Sequence, residues 1–248
     1  MDATGWALLV GGGFAAGVIN TMAGGGSLLT VPLLIFLGLP PLQANGTNRL
    51  GILVSSITSS WSFRSENVSG FRGAIPVVLP VVAGGFAGAA MASQLSDAIF
   101  RQLFGVVMIV MLIPTLRRPG FLGARPQKAQ PWSRTATFLV FLAIGFYGGA
   151  IQAGVGIFLI YALTHAGYDL VRANSIKVVV AGSYTAVAIP VFVAAGQIDW
   201  PLGGALAAGF AAGGFVGARW TVAGGERLVR PVLGLAVLAL AGRMFGLY

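Results

Sequence analysis

The sequence is poor in the residues that most soluble enzymes depend on. It has no cysteine, one histidine and six acidic residues in 248 positions. Without cysteine there is no disulfide, no thiolate metal site and no thiol nucleophile. The acids are Asp2, Glu66, Asp97, Asp169, Asp199 and Glu226, and none falls deep inside an apolar run. No carboxylate is therefore placed to relay protons or hold sodium at the middle of a membrane. The lone histidine, His165, stands at the edge of an apolar run beside Asp169 and Arg172, a boundary position rather than a catalytic one. Charged residues make up 8% of the chain, against about 25% in ordinary soluble domains.

Apolar residues are what the chain has in excess, at 56%, together with 38 glycines. A water-soluble fold cannot hide that much apolar surface, because part of every fold faces solvent. Lipid removes the conflict. The net charge of +9 does not point to nucleic acid. The basic residues lie in short gaps between apolar runs, where the positive-inside rule expects them, and not on one amphipathic element. Met1 to Trp6 lacks the basic start of a cleavable signal.

A spanning helix needs about 20 largely apolar residues. The chain reads as an all-α polytopic membrane protein with about ten hydrophobic segments. They run roughly 4–22, 26–39, 43–63, 73–95, 98–116, 134–153, 156–166, 171–195, 201–222 and 228–247. Segments two and seven are short. A polar linker, 117–133, with Pro119, Pro126 and Pro131, separates a first repeat, 1–116, from a second, 134–248. The halves match at a spacing of 129. Ala44-Asn45 pairs with Ala173-Asn174, Gly38 with Gly167, Gly25 with Gly154, and the block Gly84–Ala89 with Gly213–Ala218. Asp97, Arg101 and Gly105 likewise pair with Glu226, Arg230 and Gly234.

If all ten segments cross, one face receives Arg64, Arg72, the linker cations, Arg172, Arg219, Arg227 and Arg230, and the other only Arg49, Arg101 and Arg243. That bias places the linker in the cytoplasm and both termini outside. Five crossings per half is odd, so the halves are expected to be inverted repeats, a common transporter plan. Trp6, Trp61, Trp132, Trp200 and Trp220 fall near segment ends, as interfacial anchors should.

Two polar groupings stand out. Gly24-Gly25-Gly26-Ser27 precedes the short second segment, with Asn20 and Thr21 just before it; Gln152-Ala153-Gly154-Val155-Gly156 precedes the short seventh. A glycine run that opens a helix turns backbone amides and a positive dipole end toward a cavity. The alternative is close helix packing by small residues. The second grouping opens segments three and eight: Asn45, Thr47, Asn48 and Arg49, and Asn174, Ser175 and Lys177. A cation this far into a membrane helix needs a cavity, a partner or a snorkelling path. Arg49 and Lys177 are thus candidate ligands for an anion, and Asn45 and Asn174 candidate helix caps. The serines and threonines of segments three and eight suit interhelical hydrogen bonds.

The stretch Gly17–Asn48, GVINTMAGGGSLLTVPLLIFLGLPPLQANGTN, resembles the first-half signature of the sulfite exporter TauE/SafE family. The second half echoes it through Gly154, Gly156 and Ala173-Asn174-Ser175, but lacks a full GGG and has Tyr161 where Pro32 stands. The resemblance implies export of small sulfur-containing anions, such as sulfite, sulfoacetate or other organosulfonates, across a bacterial inner membrane. An anion-selective channel, or transport of another small organic or inorganic anion, remains the alternative. The expected substrate site comprises Asn20, Thr21, Gly24, Gly25, Gly26, Ser27, Asn45, Asn48, Arg49, Gln152, Gly154, Gly156, Asn174 and Lys177. No catalytic role, cofactor or metal is expected, and the partners are the anion and the lipid bilayer, not nucleic acid. The Gly84-x-x-x-Gly88 spacing suits packing within or between chains and leaves homo-oligomerisation open.

Overall fold

The computed structural model describes residues 3–117 and 132–224. Over that range the chain is helical: α1 (Ala3–Ala23), α2 (Ser27–Phe36), α3 (Pro41–Ser65), α4 (Phe71–Ala92), α5 (Asp97–Arg117), α6 (Arg134–Ala150), α7 (Val155–His165), α8 (Leu170–Ala194) and α9 (Trp200–Val222). These correspond to the first nine expected segments. The tenth, with Glu226, Arg230 and Gly234, lies outside the described residues, as does most of the linker.

The ends of the helices follow local chemistry. Ser133, Asp169 and Asp199 each accept the amide three residues on, from Ala136, Arg172 and Leu202, and so start α6, α8 and α9. Asn45 and Asn174 are not these caps: both sit inside the first turns of α3 and α8, which begin after Pro40 and Asp169. The short α2 stops where Gly38 turns to φ +100° and the Leu39 amide reaches back to the Leu34 carbonyl. Segment six ends early, at Ala150, because Gln152 and Gly154 both take positive φ.

The repeat is visible in the backbone. Shifting Pro41–Ser65 by 129 gives Leu170–Ala194, the limits of α8. The α2 terminator recurs residue for residue at the end of α7, where Gly167 has φ +95° and the Tyr168 amide reaches the Leu163 carbonyl. Asn67 and Gly196 share a left-handed turn after α3 and α8. The first helix of each half is shifted by 128 instead. The Gly24 amide bonds the Ile19 carbonyl as that of Gln152 bonds Tyr147. Gly213 packs against Phe14 and Val18 as Gly84 packs against Leu142 and Phe146. The one-residue difference falls at Ala153, between the counterparts of Gly24 and Gly25.

The halves exchange partners. Helix α1 lies along α9 and α6 along α4, while α3 packs on α9 and α8 on α4; α3 and α8 pack on each other. Glycines allow the close crossings. A side chain at Gly84, Gly88, Gly209 or Gly213 would run into the backbone of the facing helix.

The exterior is more apolar than that of a soluble protein, and polar groups are buried within. Ile75 and Leu79 are 72% and 73% exposed, and Ile57, Phe86, Val106 and Leu139 also face outward. Thr21, Asn45, Asn48, Arg49, Ser55, Ser59, Asn174 and Lys177 are buried. An apolar exterior with polar and charged groups buried among apolar side chains is stable in lipid and not in water. By length and composition, α1, α4, α8 and α9 can each cross a membrane. With 10 and 11 residues, α2 and α7 do not cover the hydrocarbon core alone. At ~1.5 Å per residue they measure roughly 15 Å, about half its thickness.

Candidate functional site

The two helix interruptions meet. Gly24, with φ +83°, lies backbone to backbone against Gly156, so that a methyl group on either would overlap the other. The turn between α1 and α2 and the turn between α6 and α7, 132 positions apart at these two glycines, thus form one place in the fold. Gly24, Gly25, Gly26, Gly154 and Gly156 are all buried there.

At each break a helix begins with open amides. Among the described residues, no acceptor takes the amides of Gly25, Gly26 and Ser27 at the start of α2, or those of Gly154 and Gly156 at the start of α7. Unsatisfied amides at a helix start carry the positive end of its dipole and form a natural anion cradle. The α2 start is braced by side chains. Asn48 donates through Nδ2 to Ser27 Oγ at 2.9 Å and accepts from the Thr30 hydroxyl through Oδ1. Thr30 was not among the expected site residues. Its signal is in the sequence all the same, as a hydroxyl one turn beyond Ser27 in an otherwise apolar run.

The two buried cations serve the other side of each break, where a helix ends. Lys177 Nζ donates to the carbonyls of Asn20 at 2.8 Å and Thr21 at 2.6 Å, in the last turn of α1, and to Asn174 Oδ1 at 2.7 Å. Arg49 donates to the carbonyls of Gly148 at 3.3 Å, Gly149, and Ala150 at 3.4 Å, in the last turn of α6. Its guanidinium lies 4.4 Å from the centre of the Phe192 ring, and its Nε is buried without a partner. Asn45 Nδ2 joins it at the Ala150 carbonyl, at 2.9 Å. At the 128 spacing of the first helices, Asn20 and Thr21 correspond to Gly148 and Gly149. The two halves therefore make the same contact reciprocally, each with a cation from the other half.

The remaining expected residues divide. Thr21 shares a 2.7 Å hydrogen bond with Ser59, which donates on to the Gly214 carbonyl of α9. Gln152 donates to Thr185 Oγ1 at 3.1 Å, and Tyr184 beside it lies on Gly148 and Gly85. Asn20 contributes its carbonyl to Lys177. Thr47 instead accepts the Asp199 amide and ties α3 to the loop before α9. His165 lies against Trp132 with the rings tilted and their centroids 4.8 Å apart, at the helix boundary expected for it. Every acidic side chain among the described residues is outside the buried interior. The one ion pair found among them, Arg219 with Glu66 at 3.6 Å, is at the surface.

Comparison with known proteins gives the family of the chain. The profile of the family described as Sulfite exporter TauE/SafE matches residues 9–244. A probable membrane transporter protein, ORF9, of Sinorhizobium sp is 29% identical over 233 residues, covering 93% of this chain and 88% of that protein. A probable membrane transporter protein of Haemophilus influenzae is 28% identical, covering 94% and 91%. The probable membrane transporter protein YfcA of Escherichia coli K12 is 24% identical, covering 92% and 85%. No solved structure matches the chain. A family match over nearly the whole length, on a chain whose described residues form helices with an apolar exterior, identifies it as a membrane transporter belonging to the sulfite exporter TauE/SafE family.

Proposed function

We propose that this transporter exports small sulfur-containing anions, sulfite or organosulfonates such as sulfoacetate, across a bacterial inner membrane by alternating access. The observation that carries the reading is the meeting of two helix starts with open amides at Gly24 and Gly156. An anion of sulfite size is held by the amides of Gly25, Gly26 and Ser27, with Gly154 and Gly156 opposite. Around it stand Asn20, Thr21, Asn45, Asn48, Gln152 and Asn174, with Arg49 and Lys177 supplying positive charge. The halves act as inverted repeats of five segments. The reciprocal packing of α1 on α9 and α6 on α4 supports a twofold relation between them, and the distribution of basic residues supports the inversion.

Rocking of one repeat against the other opens the site first to the cytoplasm and then outside. No buried carboxylate among the described residues offers a place for a coupling proton or sodium ion. The membrane potential then provides the drive, at about 2.3 kcal/mol per exported negative charge per 100 mV. The test is flux of sulfite and sulfoacetate from proteoliposomes with an imposed potential. Saturable flux that rises with the driving potential is expected. Flux indifferent to the potential refutes the uncoupled mechanism, and absence of flux for every sulfur anion refutes the substrate class.

A further inference from the structure

An interrupted helix offers a ligand two ends of opposite sign. The start of α2 carries about half a positive charge and the end of α1 about half a negative one. Only Gly24, Gly25 and Gly26 separate them. Three residues span at most roughly 10 Å, so the two ends act on the same small volume and largely cancel. Between α6 and α7 four residues, 151–154, intervene, and the two ends are again close enough to cancel in large part. A bare break is therefore close to neutral as seen by an anion, whatever the number of open amides.

We infer that Lys177 and Arg49 set the charge preference of the transporter by masking the negative helix ends at the breaks, each in the opposite repeat. Lys177, from the second half, takes the terminal carbonyls of α1 in the first; Arg49, from the first half, takes those of α6 in the second. A full positive charge on half a negative one reverses the sign of that end. Each break then presents on the order of one net positive charge where it otherwise presents almost none. No acidic side chain among the described residues is buried to offset either cation. Both are positioning residues: Lys177 Nζ and the two terminal guanidinium nitrogens of Arg49 are committed to carbonyls, and the cations act on the substrate through the field of the helix ends.

The placement supports a selected feature over an incidental one. The two cations are not equivalent by sequence, since Asn48 stands opposite Lys177 in the repeat and Val178 opposite Arg49. Different positions nevertheless reach equivalent carbonyls. Asn174 holds Lys177 on one side, and Asn45 and Phe192 accompany Arg49 on the other.

This inference rests on the anion reading, so its test separates the two. Methanesulfonate and its neutral analogue dimethyl sulfone are titrated against purified protein by calorimetry, for the wild type, Lys177→Met, Lys177→Arg, Arg49→Met and Arg49→Lys. The wild type is expected to favour the sulfonate. Each Met variant is expected to lose that preference by roughly tenfold or more, the factor that corresponds to about 1.4 kcal/mol. The charge-conserving variants are expected to keep most of it. A merely structural role would lower melting temperature without changing the ratio. If one Met variant fails to fold, the other reports on the equivalent break. A folded Met variant with the wild-type ratio overturns the inference and leaves the anion reading intact. A wild type that binds neither compound, nor sulfite, overturns the anion reading and the inference with it.

Discussion

The contact between Gly24 and Gly156 can be challenged with single methyl groups. Three alanine substitutions separate the two costs involved. At Gly38 the backbone has φ +100° but nothing lies within 4 Å of an added Cβ, so Gly38→Ala meets only the left-handed backbone penalty. That penalty is about 1–2 kcal/mol. At Gly156 the backbone is helical, and the added methyl meets the Gly24 backbone. Backbone cannot swing aside like a side chain, so Gly156→Ala is expected to cost about 1–3 kcal/mol through overpacking. At Gly24 both apply, because φ is +83° and Gly156 is in the way. Gly24→Ala is then expected to cost about 2–5 kcal/mol. Stability is read by thermal unfolding of the purified protein with tryptophan fluorescence, and function by sulfite flux from proteoliposomes.

Function distinguishes the three further. Gly38→Ala leaves the breaks untouched and is expected to retain transport in the folded fraction. Gly24→Ala and Gly156→Ala push apart the breaks proposed to hold the anion, and each is expected to lower flux at least tenfold. The reasoning is refuted if Gly156→Ala is as stable and active as the wild type. It is refuted equally if Gly24→Ala and Gly38→Ala cost the same stability and spare transport alike, for then the two interruptions do not meet.

Other outcomes follow from the same geometry. Arg49→Lys keeps the charge but gives up the planar fork over the Gly148–Ala150 carbonyls and the Phe192 face, and is expected to lower stability by about 1–3 kcal/mol in denaturant titration. Asn48→Ala strips partners from buried Ser27 and Thr30, a loss of about 1–3 kcal/mol, and is expected to raise the KM for sulfite by loosening the start of α2. Gly88→Leu and Gly213→Leu wedge equivalent helix pairs, α4 from α6 and α9 from α1. Both are expected to abolish the monodisperse peak in size-exclusion chromatography, and a normal peak for either counts against the close packing described.

Much of this molecule is written locally in its chain. Apolar runs of about 20 residues report lipid-spanning helices because a helix is the one structure in which a single segment satisfies its own backbone hydrogen bonds in a bilayer. The spacing of 129 was legible from Gly38 and Gly167 or Ala44 and Ala173, because left-handed turns and tight contacts restrict residue choice. The slip to 128 in the first helices was not. It rests on backbone hydrogen bonds at Gly24 and Gln152, two unlike side chains in one conformation. Membership of the family was legible in the residues around the first break.

The sequence alone determined the class of protein, the approximate limits of the described helices, the spacing of 129 that relates α2 and α3 to α7 and α8, and the two glycine-bearing interruptions. Only the tertiary structure decided that those interruptions touch, and that Arg49 and Lys177 turn to the helix ends of the opposite half. The physical reason is the nature of the partners. Arg49 reaches carbonyls about 100 positions away and Lys177 carbonyls more than 150 positions away. A carbonyl is carried by every residue, so the chain leaves no side-chain mark on the groups a buried cation will find. Those are chosen by which helix ends the packing of glycines brings within reach.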